Sequence, residues 1–254
     1  MRIFSVSDLH IDYPPNLHWL EQLSRKDYQD DLLILAGDIS DSPKLLSRCF
    51  NTVVQCFKAV TYVPGNHDLW IIRDGNQFPD SWAKFSFIQQ LANDCGVLME
   101  PITLGSLSVI PLLGWYDYSF GQPSDQLSDV WMDYRACQWP DNQDDVDITS
   151  IFIQMNEKFI SFRNDKVISF SHFLPRIDLM PSFIPLSKRY LYPVLGTSLL
   201  EKQIRLFKSD IHIYGHSHVN QNITLSDTLY INNAFGYPNE SMITAKKLKL
   251  ITTI

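Results

Sequence analysis

Five short apolar runs in this 254-residue chain each stop at a cluster of Asp, Asn, His and Gly. Arg2 to Ser7 leads into Asp8-Leu9-His10, and Leu32 to Ala36 into Gly37-Asp38. Val60 to Val63 leads into Gly65-Asn66-His67-Asp68, Val167 to Phe170 into Ser171-His172, and Ile211 to Tyr214 into Gly215-His216-Ser217-His218. Short apolar runs bounded by turn residues read as buried strands. Helical patterns separate the first three. Asn16 is placed to cap a helix with Trp19, Leu20 and Leu23 on one face. Ser42-Pro43 starts a second, with Leu45, Leu46, Cys49, Phe50, Val53, Val54 and Phe57 at helical spacing. A β-α-β-α-β order implies right-handed crossovers and a parallel sheet. Ligands of open α/β sheets collect outside the carboxyl ends of the strands. The five motifs are therefore expected to converge there. Five of the seven histidines lie in them.

The rest of the chain continues the pattern less regularly. A helix is expected from about Ser81 to Gly96, a natural C′ glycine. Leu107 to Leu113 reads as a strand. Trp115 to Asp147 is rich in Asp and aromatic residues and holds one basic residue, Arg135. It reads as a long loop with a short helix, the kind of segment that often forms a lid. Thr149 to Phe162 is amphipathic, and Ser198 with Glu201 suggests a capping box for a helix to about Phe207. Leu229 to Asn232 and Lys247 to Thr252 read as closing strands. With no internal repeat and no clear linker, residues 1–254 are expected to form one domain with an acidic, aromatic-rich insert at about 115–147.

Charge and cysteine content narrow the partners. A formal net charge of -7 is poorly suited to wrapping nucleic-acid phosphates over a wide surface. A phosphate substrate remains compatible, because bound metal ions reverse the local sign. None of Cys49, Cys56, Cys95 and Cys137 forms a C-x-x-C pair, so all four are expected to be reduced and structural, in a cytoplasmic protein. Arg2 to Ser7 reads as a first strand rather than a leader. No apolar run approaches the roughly 20 residues of a membrane span.

The motifs can hold metal. Asp8 and His10 stand two apart, which on an extended strand places them on one face, and His216 and His218 repeat that spacing. Asp38 can bridge two ions, Asn66 offers an amide oxygen and His172 an imidazole. Three oxygen donors and four imidazoles without a thiolate suit Mn, Fe or Zn. Two such ions about 3.5–4 Å apart share a bridging hydroxide and clamp an in-line displacement at phosphorus. His67 is left over, and its ordinary pKa suits protonation of a departing alkoxide. Asp68 is a candidate to orient it. Arg176, four past His172, could reach a substrate phosphate, or equally be a surface arginine. Asp12 is either near the ligands or a solvated turn residue. Trp115, Tyr116, Asp117, Tyr118, Tyr134, Arg135 and Tyr237 are candidates for a specificity pocket, with packing under a long loop as the commoner reading. His18 and His212 are read as outside the site.

Taken together and in order, D-x-H, G-D, G-N-H-[DE], a lone His after a strand and G-H-x-H resemble the motifs of the calcineurin-like metallophosphoesterases. The resemblance implies an α/β fold, a two-sheet β-sandwich flanked by helices, with a dinuclear site for two divalent or trivalent ions. It assigns the metals to Asp8, His10, Asp38, Asn66, His172, His216 and His218, and the catalytic role to His67. The expected activity is hydrolysis of a phosphate ester by a metal-bridging hydroxide with His67 as general acid. The expected substrate is a small phosphomonoester or phosphodiester, nucleotides included, and no membrane partner is expected. A phosphoprotein phosphatase is the alternative. An inactive binding scaffold is disfavoured because all eight positions are retained. A nuclease acting at DNA ends would need a DNA-binding region, and none is visible.

Overall fold

Leu32-Leu33-Ile34-Leu35-Ala36 is apolar at every position because both faces of its strand are buried. That property organises the molecule. In the computed structural model, which describes residues 1–73 and 77–254, strands β1 (Arg2–Val6), β2 (Leu32–Ala36) and β3 (Ala59–Val63) are parallel neighbours. They alternate with helices α1 (Pro14–Glu21) and α2 (Pro43–Cys56). Helix α3 (Ser81–Cys95) follows and ends at Gly96 in the left-handed region.

The second half builds another sheet. Its elements are β4 (Ile102–Leu104), β5 (Leu107–Pro111), α4 (Asp125–Val130), α5 (Asp133–Ala136), α6 (Asp145–Asn156), β6 (Lys166–Phe170), α7 (Ser198–Phe207), β7 (Ile211–Tyr214), β8 (Gln221–Leu225), β9 (Thr228–Asn232) and β10 (Lys249–Thr253). The sheet orders are β10-β1-β2-β3 and β4-β5-β6-β7-β9-β8. Strands β5, β6, β7 and β9 run parallel, and β4, β8 and β10 are antiparallel edges.

Period-two alternation then sorts the side chains. Ile3, Leu32, Ile34, Ala36 and Val63 pack with Val109, Ile168, Phe170, Ile213 and Ile231 as the layer between the sheets. Leu33, Leu35, Tyr62, Ile110 and Tyr214 point the other way, into a cluster with Leu46, Phe50, Val53, Phe85, Leu200, Ile204 and Phe207 of the helices. The fold is the expected two-sheet sandwich flanked by helices. Parallel strands buried on both faces put all their chain reversals at the two ends, so the motif residues emerge together.

Four expectations change. Asn16 lies inside α1, and its buried amide donates to the carbonyls of Leu9 (2.8 Å) and Gly236 (3.0 Å). It ties down the first motif loop instead of capping. Thr197, not Ser198, caps α7, and Glu201 accepts from Tyr230 Oη (2.5 Å) rather than closing a capping box. The stretch from Trp115 to Asp147 is mostly ordered turns and helix, holding α4, α5 and the start of α6 behind the Asp144 capping box. The short edge strands β4 and β8 give no apolar run to read. All four cysteines are free, with Cys49 and Cys56 buried. No helix among the described residues is long and apolar enough to cross a membrane.

Ile34 is fully buried between the sheets, whereas Leu206 is 57% exposed. Ile34→Ala should lower the unfolding free energy by about 2–5 kcal/mol. Leu206→Ala should change it by less than about 0.5 kcal/mol. Urea denaturation measures both.

Candidate metal centre

The ligand loops are sharply kinked. Asp8 (φ 54), His10 (φ 41), Asp38 (φ 55), His216 (φ 66) and His218 (φ 53) all occupy the left-handed region. Non-glycine residues seldom adopt it, at a cost of about 1–3 kcal/mol each. The pairs Asp8/His10 and His216/His218 therefore do not sit on extended backbone as their spacing suggests. The chain turns back on itself after each strand, and cross-loop bonds hold the turns. Asp8 N donates to Gly37 O (2.9 Å), His10 N to Asp38 O (3.1 Å) and Gly236 N to Asp8 O (2.8 Å). Two glycines permit the crowding. A Cβ on Gly65 would stand 2.8 Å from Asp38 Cγ, and one on Gly37 (φ 83) would stand 2.7 Å from His172 Cγ.

The seven expected ligands gather into two clusters that share Asp38. His218 Nε2 lies 3.2 Å from Asp8 Oδ1 and 3.1 Å from His10 Nε2. His172 Nε2 lies 3.1 Å from His216 Nδ1, 3.2 Å from Asn66 Oδ1 and 3.4 Å from Asp38 Oδ2. The same Asp38 oxygen is 3.9 Å from His10 Nε2 and 3.9 Å from His67 Nε2. The donor atoms of Asp8, His10 and His218, and those of Asp38, His172 and His216, each lie within 4.8 Å of one another. Lone pairs facing one another at such distances repel unless a proton or a metal ion lies between them. The donor set fits two ions.

Second contacts aim these lone pairs. His172 Nδ1 donates to Ala36 O (2.9 Å), His216 Nε2 to Val194 O (3.1 Å) and His218 Nδ1 to Glu240 Oε2 (2.6 Å). Each bond fixes a tautomer whose other nitrogen faces the cluster. Asn66 Nδ2 donates to Asp133 Oδ1 (2.8 Å), which turns the amide oxygen inward. Glu240 and Asp133 were not legible. They stand 22 residues from His218 and 67 from Asn66, in no motif.

His67 sits where the centre opens. Its ring stacks on Trp70 with centroids 3.7 Å apart, and the Trp70 indole donates to Asp133 Oδ1 (2.7 Å). Asp12, Tyr13, Asp41, Arg73 and Tyr237 line a cleft of about 350 Å³ beside it. Asp12 accepts from Ser40 Oγ (2.8 Å), and the Tyr237 ring lies 4.5 Å from that of His10.

Other candidates lie elsewhere. Asp68 does not orient His67. Its carboxylate accepts from the backbone N–H of Asp38 (2.9 Å), Ile39 (2.9 Å), Ser40 (3.0 Å) and Gly65 (2.8 Å), and from Tyr62 Oη (2.8 Å). Arg176 is paired with Asp178 (2.7 Å) and Glu201 (3.2 Å). Tyr116 is fully buried and accepts from Trp131 Nε1 (3.1 Å), so no substrate reaches it. Arg135 is exposed and donates to Asp129 O (2.6 Å). Trp115 and Tyr118 both donate to Asp145, and Asp117 accepts from Thr197 Oγ1 (2.8 Å). These residues pack under the loop. His212 is buried against Ser169 Oγ (2.8 Å), and His18 is exposed on α1.

The charges are strongly coupled. Against the pull of burial, Asp38 pushes His172 up to about 9, and Asp8 with Glu240 pushes His218 up to about 10. Burial and His172 push His216 down to about 3. Burial and Asp38 lift Asp68 to about 6, against its N–H donors.

Metal binds neutral imidazole. At about pH 7.5 the metal-free centre carries protons on His172 and His218, so loading should release about two protons per chain. Affinity should fall as pH is lowered. Calorimetric metal titrations in buffers of different ionisation enthalpy read that number. Asp68→Ala should cost at least about 3 kcal/mol in denaturant unfolding, because it orphans several buried N–H groups.

A cluster of Asp, Asn and His at the strand ends of this sandwich defines a metal-dependent phosphoester hydrolase. The chain belongs to the calcineurin-like phosphoesterase family, whose profile matches residues 1–220. Among proteins of known activity it is similar to the [acyl-carrier-protein] phosphodiesterase PptH of Mycobacterium tuberculosis, 27% identical over 125 residues. That match spans 46% of this chain and 38% of the relative. The crystal structure of PptH, the phosphopantetheinyl hydrolase, superimposes with a TM-score of 0.82 over 94% of this chain and 90% of that one, at 20% identity. TT1561 of Thermus thermophilus follows the same fold with a TM-score of 0.56, at 13% identity over 92% of this chain.

Proposed function

We propose that the chain, acting as one phosphoesterase unit, hydrolyses a phosphodiester that joins a prosthetic arm to a carrier protein. The observation that carries the hydrolytic reading is Asp38 Oδ2, placed 3.4–3.9 Å from the imidazoles of His172, His10 and His67. One carboxylate oxygen thus touches both ligand clusters and the group assigned as acid. Asp8, His10, Asp38 and His218 would hold one ion, and Asp38, Asn66, His172 and His216 the other. When bound, the ions supply an activated water and neutralise charge on the phosphoryl oxygens. The choice of a diester on a carrier rests on the likeness to PptH, and replaces the small phosphomonoester or phosphodiester expected from the sequence.

The chain's own residues do the rest. His67 borders both the centre and the cleft, so a leaving oxygen in the cleft meets its imidazole. Burial lowers the proton affinity of His67, which favours donation once the ring is charged. Trp70 fixes the plane of that ring, and Asp133 fixes Trp70 and Asn66 through one oxygen. Metal ligation and acid orientation are thereby coupled.

The test is hydrolysis by metal-free protein resupplied with Mn, Fe or Zn singly. Substrates are bis-p-nitrophenyl phosphate, an alkyl phosphodiester and a holo acyl carrier protein, the last read by mass loss. Asp38→Ala should abolish turnover of all three. His67→Ala should cut alkyl-ester turnover by about 10²–10⁴ and the nitrophenyl ester far less, since a good leaving group needs no acid. Trp70→Phe keeps the stack but loses the hydrogen bond, and should show a weaker version of the same split. Equal losses on both esters in His67→Ala would remove the acid role. A carrier protein left intact by an enzyme active on small diesters would remove the proposed substrate.

A further inference from the structure

Between two parts of the metal centre the chain runs out to the surface and back. It leaves from His172 at the end of β6 and returns to Val194, whose carbonyl accepts from His216 Nε2 (3.1 Å). The ends are pinned together by Leu174 N to Leu195 O (3.0 Å) and Thr197 N to Leu174 O (3.1 Å). The outer part, built on 3₁₀ turns at Ile177–Leu179 and Leu186–Val194, displays what a soluble surface normally hides. Phe183 is 67% exposed and Leu186 78%. Behind them an apolar cleft of about 520 Å³ opens between this segment and β8, lined by Ile177, Met180, Pro181, Tyr192 and Ile223. Strand β8 is an edge of its sheet.

The patch is cationic in a chain of net charge -7. From 173 to 197 the one acid is Asp178, and Arg176 pairs with it at 2.7 Å. Lys188 and Arg189 are exposed. Arg189 donates to the carbonyls of Ile184 (3.4 Å) and Ser182 (3.5 Å) and lies 5.9 Å from the Tyr192 ring. Those long contacts keep it against the segment while leaving its charge without a carboxylate among the described residues. Exposed aromatic and aliphatic groups beside an unpaired arginine are the composition of a protein-binding surface.

We propose that Ile177–Tyr192 is the docking surface for an acidic carrier protein, the bearer of the phosphodiester. The inference rests on the substrate reading above and adds where that substrate is held. Charge complementarity selects an acidic partner, and the apolar residues supply contact once it has arrived. Because both ends of the segment are fastened to ligand-bearing loops, a carrier seated here is close to the centre its arm must enter.

Two double variants of the full chain test this: Lys188→Glu with Arg189→Glu, and Phe183→Ala with Leu186→Ala. All four side chains lie at the surface, away from the metal and acid residues. Anisotropy of a labelled holo acyl carrier protein reads binding without turnover, and steady-state kinetics on the carrier and on bis-p-nitrophenyl phosphate read function. Each double variant should weaken carrier binding and raise its KM by about tenfold or more. The charge variant should also flatten the salt dependence, and the small diester should be turned over at the parent rate. Carrier binding unchanged in both variants overturns the proposal. So does loss of small-diester turnover in step with the carrier. Parent protein that sediments with phosphatidylglycerol vesicles, or self-associates, in a way the variants abolish would give the patch to a membrane or to a second copy instead. If the parent hydrolyses the small diester and neither binds nor cleaves the carrier, the substrate reading and the docking surface fail together. If it binds the carrier at this patch without cleaving it, only the substrate reading fails.

Discussion

Where Asp38 points depends on a carboxylate that holds no metal. Asp68, fully buried, gathers the N–H groups of Asp38, Ile39, Ser40 and Gly65 and the hydroxyl of Tyr62. Burying an unpaired carboxylate is costly, and charge-assisted bonds to several donors offset that cost. The bonds join the loop after β2 to the loop after β3 at a single point. Asp38 is then delivered to both ligand clusters, and its Oδ1 accepts from His67 N (2.9 Å), which sets the next residue as well. Loosening Asp68 would move Asp38 and His67 together.

The strain in the ligand loops is tolerable because of what lies beneath. Five ligands in the left-handed region represent several kcal/mol of unfavourable backbone. Isolated turns of this kind would relax. Here they are closed by the β1–β2, β2–β3, β6–β7 and β7–β9 ladders below and by cross-loop bonds above. Asn16 adds a further fastening from helix α1 to the loop of Leu9 and to Gly236. The sandwich layer of Ile34, Phe170 and Ile213 makes those strands stiff, so packing far from the ions is what keeps donor atoms crowded.

The strands and the residues that cluster at their ends were legible because each motif is local. An apolar run, a break and a polar donor all fall within one stretch of chain, and the same holds for α2, with Ser42-Pro43 at its start. What escaped was either backbone or distant. The left-handed kinks at Asp8 and His10 leave no trace in residue type, since neither residue is glycine. Glu240 and Asp133 meet their partners only through tertiary folding. Asp68 misled by adjacency: sitting beside His67 suggested a catalytic pair, but its carboxylate is taken up by the N–H groups of Asp38, Ile39, Ser40 and Gly65 and by Tyr62, while His67 lines the cleft. Tyr116 misled by composition, because an aromatic-rich loop looks the same whether its rings face a cleft or the core.

Charge is distributed so that anion binding depends on the loaded centre. The chain is net acidic, and Asp8, Asp38 and Glu240 stand against the imidazoles of the centre, with Asp133 behind Asn66. Without ions that region repels a phosphodiester. Two divalent ions would bring four positive charges to a mostly buried site, where counter-charges are screened least. The sign of the centre then reverses while the surface around it stays acidic. A phosphoryl group is thus attracted over a short range only. An acidic protein carrying that group would be repelled by most of the surface, and would find favourable potential at the metal centre and at the cationic segment beside it. On this argument the low overall cation content favours selectivity: a long polyanion gains little from a surface that is acidic outside the centre and one short cationic segment, whereas a single phosphoryl group needs only the centre.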